Sequence, residues 1–154
     1  MNAIELLIAD FAEMTGLPLT PDVRGGCILE TDDIFITIQY RAEADDVVIF
    51  APVTDPEAPE RPTKAMLEKA LSLAYDGVGT SGAFLGLFDG ELILSVHLPM
   101  RGLDAETLGF RLTSFADTAV SVRNEIAAAT AADSGENAGE PDVGDVGPSS
   151  FIRA

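Results

Sequence analysis

Few residues in this sequence could do covalent or metal chemistry. There is one histidine, His97, and one cysteine, Cys27. A Cys–His nucleophile pair would need the two in contact and the thiol held as thiolate. Cys27 lies in "GCILET" among apolar neighbours and reads as a small core residue. The paired acids Asp32-Asp33 and Asp45-Asp46 could be catalytic carboxylates or cation ligands. Both fall in predicted hairpin turns, where aspartate is favoured because it bonds its own backbone. No D-x-D-x-D-G calcium loop is present. Residues 77–82, "GVGTSG", match G-x-G-x-x-G. A phosphate-cradling loop must leave a strand and open a helix, and this one leaves a helical run and enters a strand. No G-x-S-x-G, H-E-x-x-H or P-loop occurs. The residues therefore predict no catalytic group, no metal site and no cofactor.

The elements that would position these residues begin with a helix over Asn2 to Thr15. Asn2 can cap it with Glu5 three positions on. Ile4, Leu7, Ile8 and Phe11 form one stripe, and Gly16 then Pro18 end it. Three strands follow in "GCILET", "IFITIQY" and "VVIFAPV". Pro62 suits an early position of a second helix running to about Tyr75. Met66, Leu67, Ala70, Leu71 and Ala74 are expected to face inward, and Asp76-Gly77 stops it. The stretch "AFLGLFDGELILSVHLP" reads as a strand pair. Asp104 caps a third helix with Leu108, Leu112, Phe115, Ala119, Val122 and Ile126 in one seam. From about Ala131 the chain turns to Gly, Pro, Ser and acid, the composition of a disordered tail. The expected domain spans residues 1–130 and the tail 131–154. The fold class is α+β in the order α-β-β-β-α-β-β-α, a twisted, mainly antiparallel five-stranded sheet with three helices.

Turn chemistry predicts the registers. An Asp32-Asp33 turn pairs Leu29 with Ile36 and Cys27 with Ile38. Pairing Arg41 with Asp46 sets Ile38 opposite Ile49. An Asp89-Gly90 turn pairs Phe88 with Glu91, Leu87 with Leu92, Leu85 with Leu94 and Ala83 with Val96. One sheet face is then apolar throughout. The other carries His97 opposite Gly82, with no carboxylate or thiol in register, since Glu91 is about 20 Å back along the strand at ~3.3 Å per residue. That second face also carries Ile28, Phe35, Val48 and Phe50. Either a helix covers it or it is an interface.

The 154 residues bound the chain to one domain. With 47% hydrophobic residues it can bury a core, and 26 acids against 9 bases leave a formal charge of −17. Such acidity opposes binding to nucleic acid or anionic membranes, which rely on Lys and Arg. It suits a basic or aggregation-prone partner. The N-terminus lacks the basic start of a signal peptide, no apolar run approaches a membrane span, and one cysteine fits a reducing cytoplasm.

The chain resembles the class I type III secretion chaperones, the CesT/Tir-chaperone group. The resemblance lies in "LLIADFAEMTGLPLTPDVRGGCILETDDIFITIQY", "DDVVIFAPV" and "GAFLGLFDGELILSVHLPMRGLDAETL", and covers about residues 2 to 130. It implies a bacterial cytoplasmic homodimer that holds the N-terminal segment of a secreted effector in extended form, without catalysis. By likeness, Leu6, Ile28, Phe35, Val48 and Phe50 would hold the effector. Met66, Leu73, Phe84, Phe88 and Ile93 would dimerise. The alternative is a regulatory or adaptor domain of the same fold outside a secretion system.

Overall fold

The computed structural model describes residues 2–56, 58 and 60–136. The chain opens with helix α1, Ala3–Thr15. Asn2 Oδ1 accepts from the Glu5 N–H and the Glu5 carboxylate accepts from the Asn2 N–H, both at 2.9 Å, which satisfies two donors that a helix start leaves without partners. Gly16 ends the helix at φ 72°, a left-handed conformation that costs a side-chain-free residue little.

Strands β1 (Cys27–Thr31), β2 (Ile34–Arg41) and β3 (Asp46–Pro52) form an antiparallel meander. Helix α2 (Lys64–Ala74) carries the chain to the hairpin β4 (Phe84–Phe88) and β5 (Glu91–Pro99), and helix α3 (Ala105–Glu136) closes the order. The sheet runs β1-β2-β3-β5-β4 with every neighbour antiparallel, so β1 and β4 are its edges.

Both tight hairpins turn on two left-handed residues. Asp32 and Asp33 have φ 48° and 60°, and Asp89 and Gly90 have φ 49° and 83°. Mirror-image turns of this kind match the strand twist, and they set the observed registers. Leu29 pairs with Ile36, Cys27 with Ile38, Ile38 with Ile49, and Phe88 with Glu91, as the turn chemistry predicts.

One sheet face is buried and the other is not. Ile36, Ile38, Val47, Ile49, Ala51 and Leu94 point into a core shared with Ile8 and Phe11 of α1, Met66 and Ala70 of α2, and Leu108, Phe115 and Ile126 of α3. Layer packing of this kind buries one face of an antiparallel sheet and leaves the other to solvent or a partner. Each helix stripe meets the same face because its apolar residues recur at three and four.

Several expectations are corrected. Pro62 precedes the N-cap Thr63 and lies outside α2. Leu71 is 73% exposed, because Met66 and Ala70, one turn apart, are the buried residues of α2 and Leu71 is rotated away from them. The β4–β5 ladder stops at Phe84–Ser95, so Ala83 does not pair with Val96 nor Gly82 with His97. Gly82 belongs instead to a turn in which its N–H donates to the Gly77 carbonyl at 2.8 Å. Leu87, on the face read as core, is 58% exposed near the end of β4. Helix α3 runs on to Glu136, past the expected tail boundary at 130, through the alanine-rich residues 127–132, which are strong helix formers. The remaining part of that expected tail, residues 137–154, lies outside the described residues.

Candidate binding surface

The "GVGTSG" turn is a packed helix stop. A Cβ on Gly79 would sit 2.8 Å from the Leu73 carbonyl oxygen, and Thr80 is fully buried. The loop leaves α2 and enters β4, as its sequence context predicts. Cys27 is buried on the core face of β1, and desolvation pushes its thiol up to about 11, with the negative charge of Asp22 adding to the effect. His97 lies on β5, three strand positions from β1 and on the opposite face, so the two cannot form a nucleophile pair. Among the described residues no three His, Cys, Asp or Glu side chains gather as a metal site would require. No described helix is long and apolar enough to cross a membrane.

His97 does have a carboxylate nearby. Arg41 and Asp46 pair across β2–β3, Arg41 Nε donating to Asp46 Oδ1 at 2.8 Å, with a second bond from Nη2 to Oδ2. The β3–β5 register sets Val48 opposite His97 and places Asp46 diagonal to it, with Nδ1 3.4 Å from Asp46 Oδ2. Arg41 Nη2 is closer, 2.8 Å from Nδ1. Guanidinium can only donate, so the Arg41 bond needs Nδ1 as acceptor, whereas a bond to Asp46 needs it as donor. The Arg41 hydrogen bond holds the Asp46 carboxyl below its usual range, against the opposing effect of desolvation. The His97 ring meets Phe84 edge-on, centroids 5.6 Å apart. This cluster is a hydrogen-bonded network on the sheet surface.

The outer face carries apolar side chains on every strand, interleaved with polar ones. One rung runs Ile28–Thr37–Phe50–Ser95–Phe84 through all five strands. Neighbouring rungs add Phe35 opposite Glu30, Val48 between Gln39 and His97, and Ile93 between Pro52 and Gly86. Ile28, Phe35, Phe84 and Phe88 are exposed, at 66%, 54%, 65% and 76%. Phe50 and Ile93 are half-buried, and Val48 is covered by its neighbours. No described helix covers this face; α1, α2 and α3 pack on the other.

Four of the five candidate effector residues, Ile28, Phe35, Val48 and Phe50, therefore share one surface. Leu6 does not join them. It lies on α1 beside a separate hollow with Asp10, Met100, Arg101 and Leu103. The candidate dimer residues also divide. Phe84, Phe88 and Ile93 lie at the β4 end of the outer face. Met66 is 1% exposed in the chain's own core, and Leu73 is half-buried against it. A second copy could not touch Met66.

A groove of about 720 Å³ lies beside the β1 edge, and no sequence expectation identified it. It is lined by Phe11, Leu17, Leu19, Leu29 and Leu112, and Ile28 borders it from the outer face. Glu30, Asp32 and Asp117 also line it, with no Lys, Arg or His. The signal that could have found it is Leu17-Pro-Leu19, apolar residues placed after a helix stop, where solvent exposure would favour polar ones. Leu71, Tyr75 and Val78 form a further exposed apolar run along and after α2.

The sequence model of the Tir chaperone protein (CesT) family matches residues 6–123. The chain belongs to this family. Solved structures share the CesT-like fold at low identity. A chain of the ExsC–ExsE complex aligns with TM-score 0.65 and 21% identity, covering 79% of this chain and 91% of that one. A chain of the HopA1–SchA chaperone–effector complex aligns with TM-score 0.61 and 19% identity, covering 79% and 94%. The Yersinia pestis type III secretion chaperone SycH, in complex with a fragment of YscM2, aligns with TM-score 0.58 and 19% identity, covering 79% and 99%. No curated protein matches by sequence.

Proposed function

We propose that this CesT-family protein is a type III secretion chaperone. It binds the N-terminal segment of a secreted effector in extended form and keeps it soluble and competent for export. The observation that carries this reading is the family match over residues 6–123. The uncovered apolar face and the β1 edge supply the physical means. An extended segment can add to an edge strand through backbone hydrogen bonds, and its alternate side chains then fall on the two sides of the sheet. On one side they would meet Ile28 and Phe35. On the other they would enter the groove lined by Phe11 and Leu112. Burying such a segment removes from water the apolar surface that drives aggregation.

The same reading gives the β4 end of the face, with Phe84, Phe88 and Ile93, to a second copy of the chain in a homodimer. Exposed Leu71 and Tyr75 on α2 extend that surface in this proposal. The bonds formed are non-covalent and the cycle needs no cofactor in this chain.

The test is co-expression with candidate effectors from the same cell, followed by sedimentation and limited proteolysis. The expected result is a dimer that protects an N-terminal effector segment while the rest of the effector remains separately folded. A monomer at micromolar concentration, or protection of a folded effector domain in place of an N-terminal segment, would overturn the reading. If the captured partner is a regulator that is never exported, the adaptor alternative replaces it.

A further inference from the structure

No described residue fills the groove beside β1, and the chain continues past Glu136 with a segment matched to it in chemistry. We propose that residues 148–153, Pro-Ser-Ser-Phe-Ile-Arg, dock in this groove of the same chain and compete there with the client. The proposal rests on the reading of the groove as a peptide site.

Three observations carry it. The groove asks for apolar side chains, being lined by Phe11, Leu17, Leu19, Leu29 and Leu112. Beyond Glu136 the large apolar residues are Val143, Val146, Phe151 and Ile152, and only the last two are adjacent. Burying a Phe side chain is enough for weak docking once the entropy of joining is lowered by the tether.

Charge is the second observation. Glu30, Asp32 and Asp117 line the groove with no Lys or Arg among the lining residues, and the nearby Arg123 is engaged with the backbone carbonyls of Asp32 and Asp33. Arg153 is the one basic residue after Glu136, next to the apolar pair. A guanidinium pairs well with carboxylates at such a rim.

Reach is the third. Arg123 Nη1 donates to the carbonyl oxygens of Asp32 and Asp33 at 3.2 and 3.4 Å, so α3 passes the β1–β2 turn on its way out. From Asp117 to Glu136 the helix advances roughly 28 Å at ~1.5 Å per residue. Residues 137–151 can span up to about 50 Å, enough to return to the groove with slack. A tether of this length holds the segment at an effective concentration on the order of 1 mM. A segment with an intrinsic Kd of about 1 mM would then fill half the grooves and weaken client binding about twofold, and one of about 0.1 mM would weaken it about tenfold.

The experiment uses the full chain, which has no tryptophan. Phe151→Trp places a single emitter in the segment. Docking predicts blue-shifted emission, independent of protein concentration, that returns to the value of a solvated indole when Thr113→Arg obstructs the groove. Thr113 is exposed at the groove wall, and circular dichroism checks that this variant is folded. Solvated emission in the parent overturns the proposal, as does a blue shift that Thr113→Arg leaves in place or one that disappears on dilution. The second readout is client affinity. Phe151→Asp with Ile152→Asp should tighten it two- to tenfold, and no change overturns the competition. The tryptophan readout uses no client, so a failure to bind effectors would count against the proposed function alone.

Discussion

Phe35→Ala tests the outer face most directly. Phe35 is 54% exposed on β2, opposite Glu30, and points away from the core. A phenylalanine side chain offers roughly 200 Å², so about 110 Å² of it is available to a partner. At ~25 cal/mol per Å², full burial of that area by a client contributes about 2.7 kcal/mol, and the alanine that remains keeps part of it. The expected loss is about 2 kcal/mol, or roughly 30-fold in Kd. The folded chain itself should change little, because substitutions on an exposed face away from the core cost about 0.5 kcal/mol or less. Calorimetric titration of the N-terminal effector segment gives the Kd, and thermal melting checks the fold. Val23→Ala, at a fully exposed loop position, is the control. Unchanged affinity in a folded Phe35→Ala protein would refute the assignment of this face to the client.

Three further outcomes follow from the same geometry. At pH 8 the native Cys27 thiol, pushed up to about 11, should react with a disulfide reagent far more slowly than in urea. The thiolate fraction alone, from an ordinary value of 9.0, predicts a factor of about 100, and similar rates would show the β1 edge to be open. Asp46 has its pKa lowered in the fold, chiefly by Arg41, so its stabilising contribution is present above the ordinary carboxylate pKa near 4 and is lost as pH falls through the lower folded value. Asp46→Asn should therefore flatten the fall of stability in that acid window, and identical pH slopes in denaturant melts would contradict the pairing. Asp33→Gly should raise the Tm, because Asp33 sits at φ 60°, where a side chain costs up to about 1 kcal/mol, and only backbone carbonyls of this turn bond Arg123. A lowered Tm would show that the Asp33 side chain contributes more than its backbone strain removes.

The registers within hairpins were legible because local chemistry sets them. Asp32-Asp33 and Asp89-Gly90 leave two residues to reverse the chain, and the pairings follow by counting outward until the ladder ends at Phe84–Ser95. The helix stripes were legible for the same reason, through Ile4, Leu7, Ile8 and Phe11 in α1. Non-local pairing was not legible. Nothing near His97 in the sequence says that β5 joins β3, so the diagonal approach of Asp46, and with it the Arg41–Asp46–His97 network, could not be derived from the β4–β5 hairpin alone. Leu71 was misjudged because four consecutive α2 positions, Ala70 to Leu73, hold three apolar residues, and only packing against α3 decides the rotation.

The candidate surface was half legible, and the division has a physical cause. Alternation in β1, β2 and β3 reveals which residues share a face, and Ile28, Phe35, Val48 and Phe50 do share one. It does not reveal whether that face is covered, because coverage depends on where α1, α2 and α3 pack, and all three pack on the opposite side. It also cannot mark residues brought together around an edge. The groove joins Phe11 from a helix, Leu17 and Leu19 from a loop, Leu29 from β1 and Leu112 from α3. No periodicity links these positions. An apolar sheet face by itself would invite a flat partner. A face that turns the β1 edge into an apolar groove with an acidic lining suits the narrow, extended partner proposed above, since a strand presents alternate side chains to its two sides. Those two features together, more than the composition or the lone histidine, give the chaperone reading its physical content.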